Sequence, residues 1–250
     1  MKKTASLLTG FLLIIISLHA QKKQPKFLVE LGVGPSFPIG TFADKTYQDY
    51  NETNFSGMAK TGLAAQLSLG YYINESVGLL LLPSFTIHSQ DPSGYEEALR
   101  KTYSILSGNQ NMPSRIEVKA KSWKIAKLMV GGFFITSLTS ASELSLITKL
   151  TVGVCKTNMP EYSYTTYDQA GMLSGTGVQN KTSLPLAFCY QVSVGLKYKL
   201  GNQLYLLFDV NSFNSNLKKD FNANTPIQTI RTAKYKVAEV NVLAGIGINF

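Results

Sequence analysis

Residues 184–200 read LPLAFCYQVSVGLKYKL, and their parity decides the fold. Even positions carry Leu184, Leu186, Phe188, Tyr190, Val192, Val194, Leu196, Tyr198 and Leu200. Odd positions carry Pro185, Ala187, Cys189, Gln191, Ser193, Gly195, Lys197 and Lys199. Successive side chains of a strand point to opposite faces. One face is therefore apolar along its whole length, and the other is small or polar. A strand in a soluble sheet runs about five or six residues. One that crosses a bilayer needs roughly 9 to 11, tilted, with lipid on one side and a packed polar interior on the other. The stretch predicts the second kind.

The same alternation recurs along the chain. Leu63, Ala65, Leu67, Leu69, Tyr71 and Ile73 share one face of residues 60–73, with Gly62, Ala64, Gln66, Ser68 and Gly70 opposite. Residues 143–155 set Leu144, Leu146, Thr148, Leu150, Val152 and Val154 against Ser145, Ile147, Lys149, Thr151, Gly153 and Cys155. The last residues set Ala238, Val240, Val242, Ala244, Ile246, Ile248 and Phe250 against Glu239, Asn241, Leu243, Gly245 and Gly247. Weaker candidates at 27–34, 77–88, 118–136 and 204–213 complete eight strands. In the fourth, Lys124 and Lys127 differ in parity, which calls for either a bulge or a lysine that snorkels at the interface.

Connection lengths give a second signal. Residues 35–59, 89–117, 156–182 and 214–233 are expected as long loops, and 74–76, 137–142 and 201–203 as short turns. This is the pattern of an up-and-down barrel with short periplasmic turns and long extracellular loops. A soluble eight-stranded barrel keeps its apolar side inward around a ligand. Here Glu30, Lys149, Lys197, Lys199, Asp209 and Glu239 fall on the face that carries the glycines, so the charges belong to the lumen.

Composition agrees. Hydrophobic residues make up 44% of the chain and charged ones 16%, and the mean hydropathy is +0.03. That is too apolar for a disordered basic tail and too polar for a bundle of membrane helices. Lys2 and Lys3 precede the apolar run Leu7–Leu18, and Leu18-His19-Ala20 stands before Gln21. Residues 1–20 thus read as a signal peptide cleaved near Ala20/Gln21, leaving residues 21–250 as the barrel domain. The formal charge of +9 does not argue for nucleic acid in a chain with a signal peptide and a greasy exterior.

These features resemble the small eight-stranded outer-membrane barrels of Gram-negative bacteria, the OmpA-like and OmpX-like class. The signal segment, the eight-strand alternation and the terminal VNVLAGIGINF carry the resemblance. It implies outer-membrane location, contact with outer-membrane lipid and lipopolysaccharide, and dealings with the barrel-insertion machinery. It also implies that Phe250, with Ile248 and Ile246, forms the assembly signal. The fold hosts adhesins, small channels, lipid enzymes and scaffolds, so it leaves function open.

Motifs for chemistry are sparse. His88 is the single histidine beyond the signal segment, and no CxxC or HExxH occurs, so no metal or other cofactor is expected. GVGPSF at 32–37 and GTGVQN at 175–180 lack a third glycine and a following helix, which does not support a phosphate cradle. His88 and Ser89 fall at the expected outer rim, where lipid-A-modifying barrels keep a histidine and a serine. Adjacent strand residues face opposite sides, which argues against catalysis.

Four further expectations concern particular residues. A hairpin centred near residue 172 sets Cys155 opposite Cys189, and an oxidising envelope leaves either a disulfide or two buried thiols. Lys197, Asp209 and Glu239 are expected as a charge cluster plugging the lumen, since the 201–203 turn makes Lys197 diagonal to Asp209 and the 214–233 loop brings Glu239 level with residue 208. Lys119, Lys121 and Lys124 lie near the outer rim, either as lipopolysaccharide contacts or as a solvated loop flank. Ser93-Gly-Tyr-Glu96 reads as a capping box for a helix with Tyr95, Leu99, Tyr103 and Leu106 in one stripe, ending at Gly108.

Aromatic residues are expected in two interface girdles. Tyr71, Tyr72, Phe133, Phe134, Tyr198 and Phe250 form the periplasmic one, and Phe85, Trp123, Phe188 and Tyr235 the outer one. The expected activity is non-enzymatic, exerted through the extracellular loops or as the partner of another envelope protein. The alternatives are a narrow solute channel and a lipid-A-modifying enzyme.

Overall fold

The computed structural model describes residues 26–45, 56–107, 113–139, 143–222 and 230–250. The expected signal segment and Gly108 lie outside them. In chain order the strands are β1 (Phe27–Pro38), β2 (Ala59–Tyr72), β3 (Val77–Gln90), β4 (Arg115–Ala120), β5 (Ser122–Ser137) and β6 (Leu144–Met159). They continue as β7 (Tyr162–Tyr167), β8 (Leu173–Gln179), β9 (Thr182–Ser183), β10 (Ala187–Lys199), β11 (Leu204–Asn222) and β12 (Ile230–Asn249). One helix, α1 (Pro92–Ser107), follows β3.

Eight strands form a closed ring. The order is β10-β11-β12-β1-β2-β3-β5-β6, and β6 pairs back to β10, so every pairing is antiparallel and no edge remains. Closure satisfies each backbone group within the sheet, which a strand must do where no water is present. The chain ends are stitched together: the amides of Lys26 and Phe27 both donate to the Phe250 carbonyl (2.9 and 2.7 Å).

Parity is kept as the sequence requires. Outward positions such as Leu31 and Val33 in β1, Leu128 and Val130 in β5, Leu150 and Val152 in β6, and Phe208 in β11 are exposed. Their alternates are buried. Around residue 184 the pattern breaks. Leu184 is buried and Leu186 exposed, because Pro185 cannot donate to the ladder and the barrel strand starts at Ala187.

Short turns at 73–76 and 200–203 join β2 to β3 and β10 to β11. At the opposite end the expected loops are largely built of secondary structure. The segment expected as strand four divides at Lys121 into β4, which leaves the barrel, and β5, which belongs to it. β4, β7 and β8 form a separate three-stranded sheet, a crown above the barrel. The loop expected over 214–233 is mostly strand: β11 and β12 stay in register from Leu204↔Ile248 to Asn222↔Ile230.

Helix α1 begins two residues earlier than the capping box suggests. Asp91, not Ser93, is the cap, and its Oδ1 accepts from the Ser93 amide (3.1 Å) and hydroxyl (2.8 Å). Pro92 follows at the first helical position, where its missing N–H costs nothing. Tyr95 stacks on Tyr162 of β7 at 4.3 Å between ring centroids, which seats the helix on the crown.

Candidate functional site

The lumen is the most densely organised part of the molecule. Three carboxylates (Glu30, Asp209, Glu239) and three ammonium groups (Lys127, Lys149, Lys197) are buried there together with His88. Two networks divide them.

In the first, Lys149 Nζ donates to Glu30 Oε2 (2.7 Å) and to Asp209 Oδ2 (2.9 Å). Tyr205 donates its hydroxyl to Glu30 Oε1 (2.9 Å), and Lys197 lies 3.7 Å from the same oxygen. Lys197 also sits 3.8 Å from the Tyr205 ring centroid. In the second, Glu239 accepts from Lys127, from Thr86 (3.0 Å) and from Asn241 (3.2 Å), and meets His88 Nε2 at 2.9 Å.

The pairings run across the lumen. In the ring, β1 is diametrically opposite β6, β5 opposite β12, and β2 opposite β10. Those strand pairs carry Glu30–Lys149, Lys127–Glu239 and the hydrogen bond that Gln191 Nε2 donates to Gln66 Oε1 (3.0 Å). An eight-stranded barrel is just wide enough for side chains to fill, so polar tips from opposite walls meet in the middle. Apolar layers close both ends. Leu28, Leu80 and Phe133 lie toward the short turns, and Phe42, Trp123, Ile125 and Phe213 toward the crown. Phe133 and Tyr72 meet edge to face at 5.1 Å.

Several expectations change here. Lys197, Asp209 and Glu239 are all buried in the lumen but do not form one cluster. Lys197 is opposite Leu207, as the turn requires, but turns to Glu30, because Lys149 occupies Asp209. Glu239 is opposite Phe213 rather than level with residue 208. The true centre of the β11–β12 hairpin lies nearer residue 226, which moves Glu239 by about 16 Å along the strand at 3.3 Å per residue.

Cys155 and Cys189 are free thiols, so the disulfide alternative is not realised. Ala187 stands opposite Cys155, and Cys189 opposite Gly153, one two-residue step from the expected register. Cys155 Sγ donates instead to Ser215 Oγ (3.2 Å).

The two lysines of mixed parity are resolved without a bulge. β5 keeps a continuous register with both neighbours, so Lys127 is buried inside and Lys124 faces outward. Lys119 is exposed on the crown strand β4, and Lys121 pairs with Glu161 (2.9 Å).

The aromatic girdles are half of what was expected. Tyr71, Phe134, Tyr198, Phe85 and Phe188 face outward. Phe133, Trp123 and Tyr235 point into the lumen, where Trp123 donates to the Gly57 carbonyl (2.9 Å). Phe250 is half-buried and stacks on Phe27 at 5.9 Å.

His88 draws in Ser36, whose Oγ is 3.2 Å from Nε2. Glu239 approaches that same nitrogen, while Nδ1 is held by the Lys60 carbonyl (2.9 Å). A catalytic relay needs nucleophile and carboxylate on opposite ring nitrogens. The ring is wholly buried beneath Phe42. Ser89, its neighbour in sequence, faces the other side. Among the described residues no group of histidines, cysteines and carboxylates is arranged to hold a metal ion.

Outside, an apolar belt encircles the strands, and among the described residues charge is confined to the lumen and the two rims. That is the inverse of a soluble protein. The molecule is a transmembrane β-barrel.

No protein-family model and no curated protein matches the chain. Solved structures similar to it include the outer membrane protein OprG from Pseudomonas aeruginosa, 12% identical, covering 91% of this chain and 97% of that one, with a TM-score of 0.47. Neisserial surface protein A is 11% identical over 90% of this chain and 97% of its own, with a TM-score of 0.45. Ail, the attachment invasion locus protein of Yersinia pestis, is 14% identical over 91% and 100%, with a TM-score of 0.40.

The residues missed from the sequence are those that depend on closure. Lys127, His88 and Gln66 carry no motif, and their partners lie 112, 151 and 125 positions away. The one signal was parity, which showed that only one of Lys124 and Lys127 could face inward but not which, and left His88 at the outer rim with no face assigned.

Proposed function

We propose that the protein is a non-conducting, non-enzymatic outer-membrane barrel that acts through its outer end, presenting the α1 and β4-β7-β8 crown to a partner in or beyond the envelope. The observation that carries the reading is the sealed lumen. Its charged layer is neutralised by pairs that reach across the barrel, and an apolar layer lies on each side of it. Buried charges in such a layer are stable only when paired, so the layer resists both water and a passing ion.

The crown supports the reading in a second way. Its inner face is committed to packing, with Ile116 and Val118 buried and Tyr95 on Tyr162. Its outer face carries Lys119, the Arg115–Glu117 ion pair, Tyr167, and the exposed Leu173 and Val178 of β8. A surface of mixed charge with isolated apolar residues suits recognition better than transport.

Planar-bilayer recording tests the proposal. The wild-type barrel is expected to give no steady conductance. The quadruple variant Glu30→Ala/Lys149→Ala/Lys197→Met/Asp209→Asn, which empties the middle of the lumen and removes every charge of the first network so that none is left unpaired, is expected to give small conductance steps. Stable steps from the wild type would overturn the reading in favour of a channel. A change in lipid A mass on deleting the gene would overturn it in favour of an enzyme.

A further inference from the structure

The outward ladder of β5 and β6 changes character over three rungs. The pairs are Leu128↔Val154, then Ala126↔Lys156, then Lys124↔Asn158. Lys156 and Lys124 occupy neighbouring diagonal positions, about 7–8 Å apart at the backbone and within mutual reach for long side chains. Neither has a carboxylate across from it, since Lys156 faces Ala126 and Lys124 faces Asn158, and an anion between two neighbouring ammonium groups offsets their repulsion.

The rest of the rim handles its lysines differently. Lys45 and Lys60 converge on Asp91 at 2.7 and 3.4 Å, and Lys121 holds Glu161. No carboxylate among the described residues pairs with Lys124, Lys156 or Lys181. β9 brings Lys181 to the same place, because Thr182 and Ser183 pair with Met159 and Asn158 at the end of β6. A cleft of about 420 Å³ lies there, lined by Lys121, Lys124, Lys181 and Glu161 with Met159 and Pro160.

Height identifies the occupant. On the flanking strands Ile87 stands beside Lys124, Phe85 beside Ala126, and Phe188 beside Val154. All three are exposed on the barrel's outside. The lysines therefore lie at the upper border of the apolar belt, where acyl chains give way to headgroups, and not up on the crown.

We propose that Lys124 and Lys156, with Lys181 above them, bind the phosphate of an outer-leaflet lipid headgroup whose acyl chains lie along the β5–β6 wall. The inference rests on the transmembrane reading of the barrel. It drops Lys119, which faces solvent on β4, and Lys121, which holds Glu161, and adds Lys156 and Lys181, which carry no motif.

The test uses the full-length barrel in detergent with purified lipid A as the probe, and native mass spectrometry to count bound lipid. Heat-modifiable migration on gels reports the fold separately, so loss of the barrel is distinguishable from loss of the site. Wild type is expected to retain lipid A and to lose it when the lipid has been enzymatically dephosphorylated. Lys124→Met/Lys156→Met is expected to weaken retention by about thirtyfold, the size of two surface lysines, while Lys119→Met leaves it unchanged. Equal retention by the double variant, or of the dephosphorylated lipid, overturns the proposal. Displacement by inorganic phosphate at concentrations equal to the lipid's also overturns it, by making the site one for free phosphate.

Discussion

Replacing Lys149 by Met removes the ammonium that two carboxylates share while keeping the length of the side chain. Lys149 is 1% exposed, and its Nζ lies 2.7 Å from Glu30 and 2.9 Å from Asp209. After the change, Glu30 retains the Tyr205 hydroxyl at 2.9 Å and Lys197 at 3.7 Å. Asp209 retains a weak contact to Ser193 at 3.4 Å, and its Oδ1 has no hydrogen-bond partner to begin with. The uncompensated charge is therefore on Asp209. Breaking a buried pair from one side costs about 3–5 kcal/mol, and that is the expected loss. Adding Asp209→Asn removes the stranded charge and should recover a large part of it, giving a coupling of about 2 kcal/mol. Urea unfolding in lipid vesicles measures both. Trp123, the chain's single tryptophan, is buried in the lumen and reports unfolding by fluorescence. A loss for Lys149→Met below about 0.5 kcal/mol, the range of ordinary surface changes, would refute the dry ion-pair layer. Strict additivity of the two substitutions would do the same.

Three further outcomes follow from the structure. Gly247 stands opposite Tyr205, whose ring and hydroxyl fill the space a Cβ there would take; Gly247→Ala should push the ring away from Glu30 and cost about 1–3 kcal/mol by overpacking, read in the same urea titration, whereas Tyr205→Phe should lose the hydrogen bond alone. The Lys45 ammonium, with Ser93 and Lys60, holds the Asp91 carboxyl well below the usual carboxylate range against its burial. Its folded pKa is depressed, so the stabilisation of α1 is complete above about pH 4, the unfolded carboxyl's value, and fades as the pH falls further; Asp91→Ala should abolish this acid dependence of the helical circular dichroism signal and cost about 1 kcal/mol. Deleting Phe250 removes both the stacking on Phe27 and the carbonyl that receives the Lys26 and Phe27 amides; the amount of heat-modifiable barrel in the outer membrane should fall, and an unchanged amount would remove the role given to the terminal residues.

The sequence by itself determined the barrel. A period of two is a local property of the backbone, so the faces of residues 187–199 and of the terminal strand could be read without knowing any partner. The same parity placed Glu30, Lys149, Lys197, Asp209 and Glu239 inside, because a charge on the lipid face is costly away from the interfaces; Lys199, expected inside by the same rule, is exposed where β10 ends at its turn. Where a local rule failed, a local cause is visible: Pro185 broke the alternation, and Lys121 separated a crown strand from a barrel strand. Tertiary structure alone decided who meets whom. Cross-strand register depends on where each hairpin turns, and β11 and β12 pair five residues away from the register that the midpoint of their apparent loop implies, which carried Glu239 away from Lys197. Closure then set β1 against β6 and β5 against β12, so that lysines found carboxylates on the far wall rather than on the next strand. Parity tells a side chain which way to point, but the distance across a closed ring is a property of all eight strands together.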